Sequence, residues 1–156
     1  MKLLWIAPLF VLCACRPASE VSTISDEPDA VVEGISTRSE SPENVNLYII
    51  EPEDGALIPS GIVTVKFGLS GMGVAPAGIN FPLSGHHHLL VNVAELPPMD
   101  QPIPADSAHL HFGTGHTETD LELSPGRYTL QLLLGDFAHI PHDPPILSEP
   151  ITITVQ

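Results

Sequence analysis

The chain has 156 residues, 17 of them proline and 12 glycine, with 5 basic against 19 acidic side chains and a formal charge of −14. A charge of that sign excludes nucleic-acid backbones and anionic lipid surfaces as docking partners, because both need a Lys/Arg face. The proline density excludes a helical bundle, since each interior proline removes a hydrogen bond and clashes with the preceding turn.

The chain opens on Met1 and Lys2, then runs apolar from Leu3 to Leu12, broken once by Pro8. One basic residue and about ten apolar ones read as a signal peptide, too short for a permanent membrane span. It closes on Leu12-Cys13-Ala14-Cys15. This resembles the bacterial lipoprotein signal, in which a small residue precedes a cysteine that is lipidated and becomes the mature N-terminus. Cys15 fits that role better than Cys13, which follows bulky Leu12. The expectation is a signal peptide over 1–14 and a lipid anchor to the membrane at Cys15. Processing there leaves no free thiol and hence no disulfide framework or thiolate chemistry. Arg16, rather than Asp, after the lipidated cysteine is compatible with outer-membrane sorting. The localisation expected is the cell envelope, on the outer membrane facing the periplasm.

From Arg16 to Val45, Ser, Thr, Pro and seven acidic residues stand against Arg16 and Arg38. Nothing there alternates for long enough to bury a face, so 15–45 reads as the lipidated cysteine followed by a disordered acidic tether. From Asn46 the texture changes to short β-rich runs broken by Gly and Pro. The runs are Leu47–Ile50, Ile62–Phe67, His88–Val93, His109–Phe112, Leu121–Leu123, Tyr128–Leu134 and Ile151–Val155. About seven evenly spaced strands with no helical period predict an all-β domain over 46–156, an immunoglobulin-like β-sandwich. A small barrel or a jelly roll is the alternative. The predicted core is Ile50, Val63, Val65, Phe67, Leu90, Val93, Leu121, Leu123, Tyr128, Leu130, Leu132, Ile151, Ile153 and Val155.

All eight histidines lie from His86 onward. In a strand, residues i and i+2 share a face, so His86 and His88 project one way and His87 the other. His109 and His111 repeat that spacing. Two His-x-His pairs on adjacent strands bring four imidazoles together. Asp136-Phe137-Ala138-His139-Ile140-Pro141-His142-Asp143 adds two more in a proline-bounded loop. Neutral imidazole is the commonest side-chain ligand for Zn²⁺ and Cu²⁺ and needs no redox protection outside the cell. The candidate metal ligands are therefore His86, His88, His109, His111, His139 and His142, with Asp136. Asp106, Asp136 and Asp143 could ligate or orient a ring by accepting its second N–H. Met72 and Met99 offer soft sulfur but read as loop residues, and His116 reads as a hydrogen-bonded packing residue.

Gly71-Met72-Gly73-Val74-Ala75-Pro76-Ala77-Gly78 and Gly85-His86-His87-His88-Leu89-Leu90 resemble a family of exported bacterial proteins known only as a domain of unknown function. The resemblance continues through Pro102–Asp106, His109-Leu110-His111-Phe112-Gly113, Thr117–Thr119, Pro125-Gly126 and Leu134–Asp136 to His139-Ile140-Pro141-His142. It covers roughly 50–156 and implies a single exported domain with the histidine segments as its hallmark, without an activity. A weaker similarity is to the periplasmic copper-resistance proteins with a seven-stranded sandwich. Glu51–Ala56 looks like their first strand-to-turn passage and Pro125–Leu130 like their late strand. Asp136 and His139 are placed loosely like their Asp and His copper ligands. That family also uses a histidine at the mature N-terminus, whereas no histidine precedes His86 here, so its site does not transfer whole.

No catalytic signature accompanies the histidines: there is no His-Glu-x-x-His, no Gly-x-Ser-x-Gly elbow and no phosphate-cradling glycine loop. The expectation is a non-enzymatic, envelope-anchored lipoprotein domain that holds copper or zinc through clustered histidines and serves metal handling. The competing expectation is a structural or adhesive sandwich whose histidine loops recognise an envelope protein or a glycan.

Overall fold

A computed structural model describes residues 38–59 and 61–156. The predicted signal peptide, Cys15 and the tether as far as residue 37 lie outside the described residues. Nine strands follow in order: β1 (Asn46–Glu51), β2 (Leu57–Ile58), β3 (Gly61–Ser70), β4 (Gly73–Val74), β5 (Ser84–Val91), β6 (His109–His111), β7 (Glu118–Leu123), β8 (Gly126–Gly135) and β9 (Ile151–Val155). The seven predicted strands are all among them. The two additions, β2 and β4, have two residues each. No helix occurs among the described residues.

The strands form two sheets. One has the order β1-β3-β7; the other has the order β2-β9-β8-β5-β4, with β6 also paired to β5. This is an all-β sandwich of immunoglobulin-like arrangement, with three strands facing the β9-β8-β5 centre of the larger sheet. A diagnostic local feature agrees. Tyr128, near the start of β8, donates its hydroxyl proton to the carbonyl of Ser124 at 2.9 Å, pinning the turn between β7 and β8.

Alternation builds the core between the sheets. Val63, Val65 and Phe67 point inward from β3, while Ile62 and Thr64 face water. They meet Leu89, Leu130, Leu132, Leu134, Ile153 and Val155 from the larger sheet, with Leu47 and Ile146 completing the cluster. Ile50 is a correction to the predicted core: it is about half exposed, because Leu47 and Ile49 set the inward parity of β1. The pairing with β3 also slips between Ile49 and Glu51, a bulge that leaves Ile50 without a partner residue.

The larger sheet is covered on its outer face as well. Leu90, Leu133 and Ile103 form a second buried cluster, packed by Val93, Met99 and Leu147. The segments after β5 and after β8 fold back over that face, so His86–Leu90 and Leu132–Asp136 are buried without interruption. A strand buried on both faces reads as a continuous apolar run rather than as alternation. That is why Leu133 escaped the predicted core and why Leu89 and Leu90 are both buried; Leu134, also outside the predicted core, joins Leu130 and Leu132 on the inner face.

The ordered domain also begins earlier than Asn46. Arg38 to Ser41 lie against the loop that follows β8, with Ser41 N–H donating to the Asp143 carbonyl (2.8 Å) and Asp143 N–H to that of Ser39 (2.9 Å).

Candidate metal centre

β5 and β8 pair so that His86 lies opposite Gly135 and His88 opposite Leu133; β6 places His111 opposite His88. Residues directly opposite share a face. His86, His88 and His111 therefore stand together on the outer face, while His87 turns inward and packs on Phe67 with ring centres 5.2 Å apart. The predicted division of the His86-His87-His88 triplet is what the strand does.

The loop after β8 brings the fourth imidazole across this face. His139 lies 5.0 Å from His86, 4.7 Å from His111 and 6.3 Å from His88, between ring centres. His86–His88 and His86–His111 are 4.8 and 5.0 Å apart, and His88 stacks on His111 at 5.0 Å. One ring nitrogen from each of His86, His111 and His139 lies within 4.8 Å of the other two. Tetrahedral zinc with bonds of 2.0–2.1 Å needs its nitrogens about 3.3 Å apart, so closure asks for a movement of about 1 Å. His111 is exposed and His139 half-buried, so those two rings have room to make it.

The inner pair is different. His86 and His88 are both fully buried, and none of their ring nitrogens has a hydrogen-bond partner. A buried polar group without a partner costs about 1–3 kcal/mol. Burial first, then the neighbouring imidazoles of His111 and His139, push the pKa of His86 down to about 4, against a small upward pull from Asp136. Burial, followed by His86, His111 and His139, pushes His88 down to about 3. Burial lowers His111 and His142 as well. At neutral pH the buried rings therefore hold lone pairs ready for a cation, with no proton to displace.

Two glycines give the rings their room. A Cβ on Gly135 would stand 2.8 Å from His88 Cε1, and one on Gly113 would stand 2.5 Å from His111 Nε2. Replacing Gly113 by alanine should swing the His111 ring away and weaken metal uptake while leaving the melting temperature of the metal-free protein almost unchanged. A competition titration beside a thermal melt checks both halves of that expectation.

Of the remaining predicted ligands, His109 is on the same face but one His-x-His step along β6, opposite Leu90. Its Nδ1–H donates to Asp106 Oδ1 at 2.9 Å, which also holds that carboxyl below its ordinary pKa. The Asp106 turn takes the ring that the spacing alone assigned to the cluster. His142 is buried behind the loop, beside Gly85, with its Nδ1 unpartnered, and it lines a different cavity with Ser39, Ser84 and Phe137. Asp136 has its oxygens occupied: Oδ1 accepts from the N–H groups of Ala138 (2.8 Å) and Ile140 (3.0 Å), and Oδ2 from the Ser39 hydroxyl (2.8 Å). It shapes the His139 loop. His116 is hydrogen-bonded to Thr114 at 2.8 Å. Met72 and Met99 pack against the two apolar clusters.

The sequence of this histidine-bearing sheet and its loops can be set against known families. The model described as Domain of unknown function (DUF4399) matches residues 65–156, well over half of the chain. The chain belongs to this family. The DUF4399 match contains all four clustered histidines and begins within β3, so residues 38–41 lie outside it. No curated protein matches the DUF4399 chain. Among solved structures it is similar to the PKD domain of human KIAA0319, at 13% identity and a TM-score of 0.39. That alignment covers 80% of this chain and 88% of the other.

Proposed function

We propose that this domain binds a transition metal ion, copper(II) or zinc(II), through His86, His111 and His139 with His88 as a fourth imidazole. It holds or passes on the ion at the cell envelope and catalyses no reaction. One observation carries the reading: the ring nitrogens of His86 and His88 are sealed from water without a partner, beside two further imidazoles. A packed core gains nothing from four adjacent imidazoles, whereas a cation satisfies several ring nitrogens at once. An all-nitrogen donor set suits both ions, and the Irving–Williams order favours copper(II) for any such set. The exposed side of the cluster, at His111, supports ligand exchange, as a protein that passes its metal on requires. The envelope setting rests on the signal-like segment ending at Cys15.

Titration of the full chain, carrying no histidine tag, with copper(II) and with zinc(II) tests the proposal. One equivalent of ion should bind. At free ion 100-fold above Kd it should stabilise the fold by about 2.7 kcal/mol. The double variant His111→Ala/His139→Ala should lose this stabilisation, and His109→Ala should keep it. Binding undiminished in the double variant would place the ion elsewhere. No binding to the unaltered chain would leave a structural or adhesive sandwich, to be pursued through protein or glycan partners.

A further inference from the structure

His139 is the one member of the cluster that comes from a loop, and its backbone is held at a φ of +67°. A non-glycine residue persists there only where its surroundings over-determine it. The loop closes on itself through Asp136 N–H to the Ile140 carbonyl and His139 N–H to the Asp136 carbonyl, both at 2.9 Å. The Asp136 carboxylate adds its two bonds to the N–H groups of Ala138 and Ile140. Ile103 N–H donates to the His139 carbonyl itself at 2.9 Å.

What holds the other end of that arrangement comes from the far end of the domain. Ser39, 97 residues away in sequence, donates its hydroxyl proton to Asp136 Oδ2. Arg38 spreads its donors over the same loop: Nε donates to the Pro141 carbonyl at 3.0 Å, one terminal nitrogen donates to the His142 carbonyl, and the other pairs with Asp143 at 3.2 Å. The planar guanidinium fork suits this triple attachment in a way that a lysine ammonium does not. The Arg38 side chain is only 15% exposed whereas that of Asp143 is 46% exposed, so the two carbonyl bonds carry more of the attachment than the solvent-screened ion pair. None of these bonds joins the two sheets. They all end on the loop that carries His139.

We propose that Arg38 and Ser39, acting through Asp136, are positioning residues of the metal site. The segment before β1 is then a strap whose attachment sets how tightly the ion is held. This rests on the metal-binding reading above and adds that the site's affinity depends on residues outside the family match. With the strap attached, three imidazoles converge. With it detached, the His139 loop loses its anchor on Asp136, Pro141, His142 and Asp143, and the left-handed His139 is free to relax away from His86 and His111. Loss of an outer-sphere partner of this kind typically costs 10- to 100-fold in metal affinity.

The test compares copper(II) binding by the unaltered full chain with that of Ser39→Ala, Arg38→Ala and Ser39→Thr. Affinity comes from competition titration and the number of coordinated nitrogens from electron paramagnetic resonance. Ser39→Ala and Arg38→Ala should bind at least 10-fold more weakly, with one fewer coordinated nitrogen in the spectrum, while Ser39→Thr, which keeps the hydroxyl, should match the unaltered chain. A general loss of stability would not by itself remove one nitrogen from the spectrum. Should Arg38→Ala fail to fold, Ser39→Ala, which removes a single hydroxyl, decides. Unchanged affinity and an unchanged spectrum in Ser39→Ala would overturn the strap and leave the metal site standing. Absence of binding of both copper(II) and zinc(II) by the unaltered chain would overturn both proposals.

Discussion

Replacing His86 by leucine should make the metal-free protein more stable and abolish its stabilisation by metal. Both of its ring nitrogens are buried without a hydrogen bond. Removing a polar group that has no partner and substituting an apolar one of similar size is neutral or favourable, with about 1–3 kcal/mol of desolvation cost withdrawn. The position is opposite Gly135, so the leucine meets no side chain across the pair. The same change removes the one fully buried member of the converging trio. The expected result is a higher melting temperature without metal and none of the upward shift that copper(II) or zinc(II) gives the unaltered chain. A protein in which His86 serves packing alone gives the opposite pattern, a lower melting temperature and no sensitivity to metal in either version. Thermal melts of both proteins, with metal and with chelator, separate the two.

Acidification should destabilise the metal-free protein across a defined window. His86 and His88 have folded-state pKa values near 4 and near 3, whereas an unfolded histidine titrates near 6.5. Between those limits the unfolded chain binds more protons than the folded one, so stability falls as the pH falls. Above about 6.5 these groups contribute no slope. Below that value each adds up to about 1.4 kcal/mol per pH unit until its folded-state pKa is reached. His111 and His142 titrate in the same direction. Denaturant melts from pH 7.5 down to 4.5 at fixed ionic strength should therefore show a plateau and then a steep decline. The double variant His86→Leu/His88→Leu should flatten the decline. A decline equally steep in that variant would assign the acid sensitivity to other groups.

Much of this could be read from the residues because strand geometry is short-range. The period of two in Ile62–Phe67 and in the two His-x-His pairs is written in consecutive residues, so the inward and outward rows followed directly. The proline-bounded segment around His139 stood out for the same reason. What was not legible depends on long-range contact. His109 leaves the cluster because a turn at Asp106 captures its ring, and nothing in the spacing distinguishes it from His111. Leu133 is buried next to Leu132 and Leu134 because two segments fold back over the outer face, which alternation cannot announce. The attachment of Arg38 and Ser39 joins residues about a hundred positions apart, in a stretch whose composition is that of a tether.

The two rows of β5 also restrict how this strand can change. His86, His88 and Leu90 face one way, and His87, Leu89 and Val91 the other, each row matched by register to its neighbours on β6 and β8. Substitution alters one row at a time. A single residue inserted or deleted within Ser84–Val91 would exchange the rows beyond it, turning cluster imidazoles into the inner core and leucine toward the open side at His111. Length at this strand is thus as firmly specified as chemistry, and a variant that shifts it by one should lose the fold and the cluster together.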